Sequence, residues 1–203
     1  MLSILALAAV AHAGIPYDPP SVPINNAVAK VALSAGKPGE LTKPHVHLTN
    51  RVMIYFEAGT NTIRYPDGKV SPEHFKAGEV QWNDAMGTHT AQIAARGPVD
   101  IVHVELKSPP AMKPTVKAPA LDKHFKVELD NNQVRVLRLR LAQGEKTTPY
   151  QEPFERLLVP LTAMRWKSVP LQPGAVQWLM PGTQSDENAG NAPYEAILVE
   201  FKK

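Results

Sequence analysis

Gly78-Glu79-Val80-Gln81-Trp82 returns further along the chain as Gly174-Ala175-Val176-Gln177-Trp178, and the echo extends in both directions. Gly87-Thr88 returns as Gly182-Thr183, and Val104-Glu105-Leu106-Lys107 as Val199-Glu200-Phe201-Lys202, at a nearly constant offset. Upstream, Asn25-Asn26 matches Asn131-Asn132, and Pro44 through Arg51 matches Pro149 through Arg156. Ordered matches at this many points imply one unit present twice, over about 24–107 and about 122–203.

The pattern inside each unit is β. Val52-Met53-Ile54-Tyr55-Phe56 and Val99 to Leu106 are short runs rich in β-branched and aromatic residues. Tyr65-Pro66-Asp67-Gly68-Lys69 reads as a turn, because Asp-Gly reaches positive φ at little cost. The chain holds 20 prolines in 203 residues, roughly twice the average usage of about 5%. Proline removes a ladder donor and breaks helix interiors, so this excess favours many strands joined by turns. The expected fold class is all-β, two tandem antiparallel β-barrels of the jelly-roll kind. A plain β-sandwich with no cavity is the bland alternative.

The segments outside the units read as connectors. Residues 108–121, opening Ser108-Pro109-Pro110-Ala111-Met112-Lys113-Pro114, form a Pro/Lys-rich linker, and residues 14–23 an extended N-terminal arm. Residues 1–13 read as a signal peptide: the apolar run LSILALAAVAHA ends in Ala11-His12-Ala13, a small-x-small cleavage pattern, and is too short to span a bilayer. It departs from the usual form in having no Lys or Arg after Met1. Export to the periplasm or outside the cell is therefore expected, with no membrane association once the signal is removed. His12 leaves with it.

Composition narrows the chemistry. Hydrophobic residues make up 43% and charged residues 20%, enough for a packed core. The net charge of +3 is not gathered into basic runs with interleaved aromatics, so nucleic acid is not an expected partner. Cysteine is absent, which excludes disulfides, thiol catalysis and thiolate metal sites. Any tight metal site must be built from imidazole and oxygen.

His45-Val46-His47 supplies two imidazoles on one face of a strand, since residues i and i+2 project together. His89 follows Gly78 after the Trp82 strand and its turn, and can arrive from a second strand. Two histidines on one strand and a third from elsewhere is how a barrel builds a facial metal site.

On these residues the chain resembles the cupin superfamily, whose motifs are G-x5-H-x-H-x3,4-E-x6-G and G-x5-P-x-G-x2-H-x3-N. Gly39, His45, His47 and Gly59 fit the first; Gly78 and His89 fit the second. The resemblance covers both repeats and implies small antiparallel barrels, the first holding one divalent metal (Fe, Mn, Zn or Ni) through His45, His47 and His89. Counted from both sides, the family's glutamate falls at Val52, which cannot ligate; Asp84, Met86 and Ile93 replace the family's Pro, Gly and Asn. The site would then be three neutral imidazoles, as in the three-histidine dioxygenases of the superfamily, and would favour an anionic or enolate-like ligand. Arg51 is expected to point away from the metal. A guanidinium about 5 Å from a dication would be repelled by on the order of 6 kcal/mol at an effective dielectric of 20. A structural ion pair is the first expectation for Arg51, and binding of a substrate anion the second.

In the second unit the histidine positions become Tyr150, Glu152 and Gln184, a poor set for a first-row metal, so a degenerate barrel kept for packing is expected. His74 in a polar loop and His124 near the second unit's start are expected at the surface, and His103 in the core. Trp82 and Trp178 are expected to serve packing, and Tyr55 a core or rim role. No general base identifies itself; Glu57, Glu79 and Asp84 are candidates without placement.

The expectation is a metal-dependent enzyme, dioxygenase-like or otherwise, acting on a small organic molecule. A second copy of the chain in a homodimer is a further expected partner. The rival is a non-catalytic ligand-binding or structural cupin with a vestigial site.

Overall fold

A computed structural model describes residues 20–109, 118–166 and 169–202. The expected signal peptide, most of the expected arm and the middle of the expected linker lie outside the described residues. The first half contains β1 (Ser21–Asn25), β2 (Ala29–Gly36), β3 (His45–His47), β4 (Arg51–Tyr55), β5 (Gly59–Arg64), β6 (Val70–Phe75), β7 (Val80–Asn83), β8 (Met86–Ala95) and β9 (Val99–Leu106). The second contains β10 (Phe125–Asp130), β11 (Val134–Leu141), β12 (Tyr150–Glu152), β13 (Arg156–Pro160), β14 (Met164–Trp166), β15 (Val169–Leu171), β16 (Gln177–Leu179), β17 (Gly182–Gln184) and β18 (Tyr194–Phe201). The described residues hold no helix long and apolar enough to cross a membrane. Strand pairing already begins at Ser21, inside the segment read from sequence as an arm.

Each half is an antiparallel double-layer barrel. A five-stranded sheet, β1-β2-β9-β4-β7, is backed in the first half by the four-stranded sheet β3-β8-β5-β6. The second half repeats the five-stranded order as β10-β11-β18-β13-β16, backed by the shorter ladders β12-β17 and β14-β15. The same turn opens both large sheets. Asn26 Oδ1 accepts the amides of Val28 and Ala29 at 2.8 and 2.9 Å. Asn131 Oδ1 accepts those of Gln133 and Val134 at 2.8 and 3.0 Å.

Strand alternation divides the apolar residues among three cores. On β4 and β9, Val52, Ile54, Val102 and Val104 face outward from the first barrel and pack with Val136, Leu157, Val159, Ile197 and Val199 of the second. The two large sheets therefore share one core between the barrels. Trp82 and Trp178 pack on its rim, as expected, with their indole N–H groups donated to Asp84 and Glu155. Arg138 ties the halves further, donating to the Gly78 carbonyl at 2.6 Å.

The interiors of the two barrels differ. The second is filled by Leu137, Leu139, Leu141, Leu158, Met164, Trp166, Leu179 and Leu198. The first keeps a smaller cluster of Met53, Tyr55, Phe75, Val99 and Ile101, with the Tyr55 and Phe75 rings stacked at 4.1 Å. The remaining interior is a cavity. Two motif glycines fit the chain into tight places in this barrel. Gly39 adopts φ 80°, where a side chain is strained. Gly59 lies so close to the neighbouring strand that a Cβ would meet the Ala94 carbonyl at 2.9 Å.

Because the inter-barrel core is common property, damage from either side should destabilise one cooperative unit. Leu157→Ala and Ile54→Ala, both fully buried, should each cost about 2–5 kcal/mol. Urea unfolding should show each lowering the midpoint of one shared transition. Two separable transitions, with each variant moving its own, would contradict the shared core.

Candidate metal centre

β3 and β8 run antiparallel with His45 directly opposite His89; an irregularity then brings His47 opposite Met86. The three rings converge. Their centroids lie 5.0 Å apart for His45–His47, 4.4 Å for His45–His89 and 5.3 Å for His47–His89. Three imidazoles bound to one ion with metal–nitrogen bonds of about 2.0–2.1 Å would place their centroids about 4.5–5.2 Å apart. One ligand nitrogen from each ring falls within 4.8 Å of the others, and no other such group of acidic or imidazole side chains occurs among the described residues.

Backbone carbonyls orient two of the rings. His45 Nδ1 donates to the Lys43 carbonyl at 2.8 Å, and His89 Nδ1 to the Gly87 carbonyl at 2.7 Å. Each bond commits Nδ1 as the donor and leaves Nε2 as a lone-pair ligand, the arrangement metal-binding histidines adopt. The electrostatics also suit a metal. Burial, with the Arg51 charge second, lowers the His47 pKa to about 3. Burial likewise lowers that of His89, against the pull of its Gly87 hydrogen bond. Protons therefore compete weakly for both rings near neutrality. The donor set fits a first-row dication, which His45, His47 and His89 would hold at the cavity wall.

That cavity has a volume of about 270 Å³ and is lined by all three histidines together with Arg51, Tyr55 and His103, over an apolar floor including Met53, Ile63 and Ile101. Two residues stand here against expectation. Arg51 neither leaves the site nor forms an ion pair among the described residues. Alternation sends Val52 into the inter-barrel core and Arg51, with Met53 and Tyr55, into the first barrel. The residue on the cavity face is thus the one reached by the shorter of the two spacings the motif allows. A guanidinium stands where the motif has a carboxylate. His103, expected in the core, also faces the cavity, paired across β4 and β9 with Met53, and its Nε2 lies 2.7 Å from Ser34 Oγ. Burial, then Arg51, lowers its pKa to about 4.

The general-base candidates all serve turns or packing. Glu57 accepts the Asp100 amide at 2.7 Å, Glu79 the Lys76 amide at 2.7 Å, and Asp84 the Trp82 indole at 2.8 Å. His74 is exposed as expected, but on β6 rather than in a loop, with Thr60 Oγ1 at 2.9 Å. His124 is not a free surface residue: its side chain is 8% exposed and pairs with Asp122. Tyr55 is buried and combines its core role with a share of the cavity wall.

In the second barrel Tyr150 lies opposite Gln184 in register, as His45 lies opposite His89. No imidazole occurs there. Arg156 Nη1 instead donates to Tyr150 Oη at 2.8 Å and lies 3.7 Å from Glu152 Oε2.

No family model and no curated protein matches the sequence. Solved structures do. The chain is similar to AerE from Microcystis aeruginosa, at 14% identity over 91% of this chain and 97% of that one, with a TM-score of 0.64. It is similar to a cupin 2 conserved barrel domain protein from Leptotrichia buccalis, at 16% identity over 90% and 88%, with a TM-score of 0.57. A formate complex of Lactobacillus farciminis oxalate decarboxylase matches at 10% identity over 93% and 85%, with a TM-score of 0.63. At these identities the likeness is one of fold.

The lowered pKa values carry a stability consequence. Above about pH 6.5, the ordinary histidine value, neither folded nor unfolded rings bind protons. Below it the unfolded chain takes up protons that folded His47, His89 and His103 refuse, so stability falls with pH down toward about 4. The urea midpoint of chelator-treated protein should decline across this window, and less steeply in His103→Gln. An identical slope in that variant would show that His103 is not held neutral.

Proposed function

With the cupin fold as premise, we propose that this protein is a metal-dependent enzyme of small-molecule chemistry, holding one divalent ion through His45, His47 and His89. The observation that carries this reading is the convergence of three imidazoles, two of them aimed by backbone carbonyls, at the wall of an internal cavity. When bound, the ion supplies Lewis-acid or redox activation of a substrate occupying its open positions. The chain's own residues do the rest. The imidazoles fix the ion's position, and Met53, Ile63 and Ile101 line the chamber with apolar surface that limits water. A cavity of about 270 Å³ lies below the usual range of about 300–1,000 Å³ for drug-sized ligands, which favours a small metabolite.

Metal use by a fold neighbour is consistent with this reading: Mn(II) centres are described for Bacillus subtilis oxalate decarboxylase, which matches this chain at 11% identity and a TM-score of 0.60. The apolar run at residues 2–13 supports export, and the matched sheet orders of the two halves support an ancestral duplication. The second barrel, filled and without imidazoles at the corresponding positions, serves as the scaffold on which the first is mounted.

Elemental analysis of untagged protein should return close to one equivalent of iron, manganese, zinc or nickel. The triple change of His45, His47 and His89 to alanine should abolish it while circular dichroism retains the β signature. Equal trace metal in both proteins would leave a non-catalytic barrel as the better reading.

A further inference from the structure

We propose that Arg51 is an anion-binding subsite, and that the molecule the cavity accepts carries a carboxylate held between this guanidinium and the metal. The inference deepens the metal-centre reading and in part rests on it. Arg51 is 4% exposed, lines the cavity beside the three histidines, and its Nε and Nη1 have no hydrogen-bond partner among the described residues. The acidic residue directly opposite it in register, Glu105, turns its carboxylate to Lys30 at 3.1 Å instead. A charge buried without a partner is strongly disfavoured. A dication in the same chamber adds repulsion. Three neutral imidazoles compensate neither charge. An anion placed between them compensates both, and a carboxylate matches the planar donor fork of a guanidinium.

The second barrel shows the same demand met in part from within. Arg156 is the register equivalent of Arg51: Arg51 pairs with Glu105, and Arg156 with Glu200. It too is wholly buried, with Nε and Nη2 lacking a hydrogen-bond partner among the described residues, yet its Nη1 donates to the Tyr150 hydroxyl at 2.8 Å and has the Glu152 carboxylate at 3.7 Å. Those two residues occupy the positions of His47 and His45. Where the first barrel has metal ligands, the second has an internal carboxylate serving its arginine. The first barrel, lacking that carboxylate, is built to receive one from solution.

The test is calorimetric titration of sodium acetate, with acetamide as a neutral match of similar shape. It uses the full chain, both chelator-treated and loaded with zinc, as wild type, Arg51→Met and Arg51→Lys. Acetate should bind wild type and acetamide should not. Arg51→Met should weaken acetate by about tenfold or more, the equivalent of losing a charge-assisted pair, with zinc stoichiometry unchanged. Arg51→Lys should retain part of the affinity. The methionine variant removes an unpaired charge, so it should fold and melt no lower than wild type; should it fail to fold, the wild-type contrast between acetate and acetamide still decides. Equal acetate affinity in Arg51→Met, or equal binding of acetamide, would overturn the proposal. The two readings fail separately. Acetate binding that needs Arg51 in protein that takes up no zinc would sink the metal centre and keep the anion site; zinc uptake with acetate binding indifferent to Arg51 would do the reverse.

Discussion

In the ladder between β3 and β8, His45 faces His89 across the strands, and His47 follows on the same side of β3. A strand's side chains alternate, so sliding this pairing by one residue would turn Val46 inward and send both imidazoles to the outer surface. Backbone carbonyls reinforce the register by gripping Nδ1 of His45 and His89. The remaining architecture keeps that ladder in place. β8 is held on its other side by β5, and the barrel behind it is closed by β4 and β9, whose outer faces pack on the second half.

Two barrels with matching large-sheet order differ in the volume and charge of their interior side chains. Leucines, Met164 and Trp166 pack the interior of the second. The first interior is smaller in apolar mass and lined on one wall by imidazoles and a guanidinium. The arginine is the revealing feature. It has a carboxylate within 3.7 Å in the second barrel and, in the first, lines the cavity without an ion pair among the described residues.

Much of this was legible in the sequence. The repeated Gly-x-Val-Gln-Trp and the proline excess pointed to two β units, and His45, His47 and His89 were identified from alternation and motif spacing alone. Arg51 and His103 were misplaced for a common reason. Which face of β4 and β9 looks into the barrel cannot be decided from alternation by itself, because both faces are buried: one in the cavity, one against the other half. The Val52/Ile54 and Val102/Val104 pairs look like interior residues of a single barrel, and they turn out to belong to the shared core. Taking Val52 as the metal-facing position put Arg51 on the wrong side. The turn-bound roles of Glu57, Glu79 and Asp84 depend on loop closure, which local sequence does not specify.

The central claim is that three imidazoles meet at one ion, and X-ray absorption spectroscopy at the edge of the bound metal tests it most directly. The account predicts three nitrogen scatterers at about 2.0–2.2 Å, with the outer-shell pattern of imidazole rings and only light oxygen scatterers in the remaining positions. A first shell of oxygen alone, or one imidazole where three are required, would contradict it.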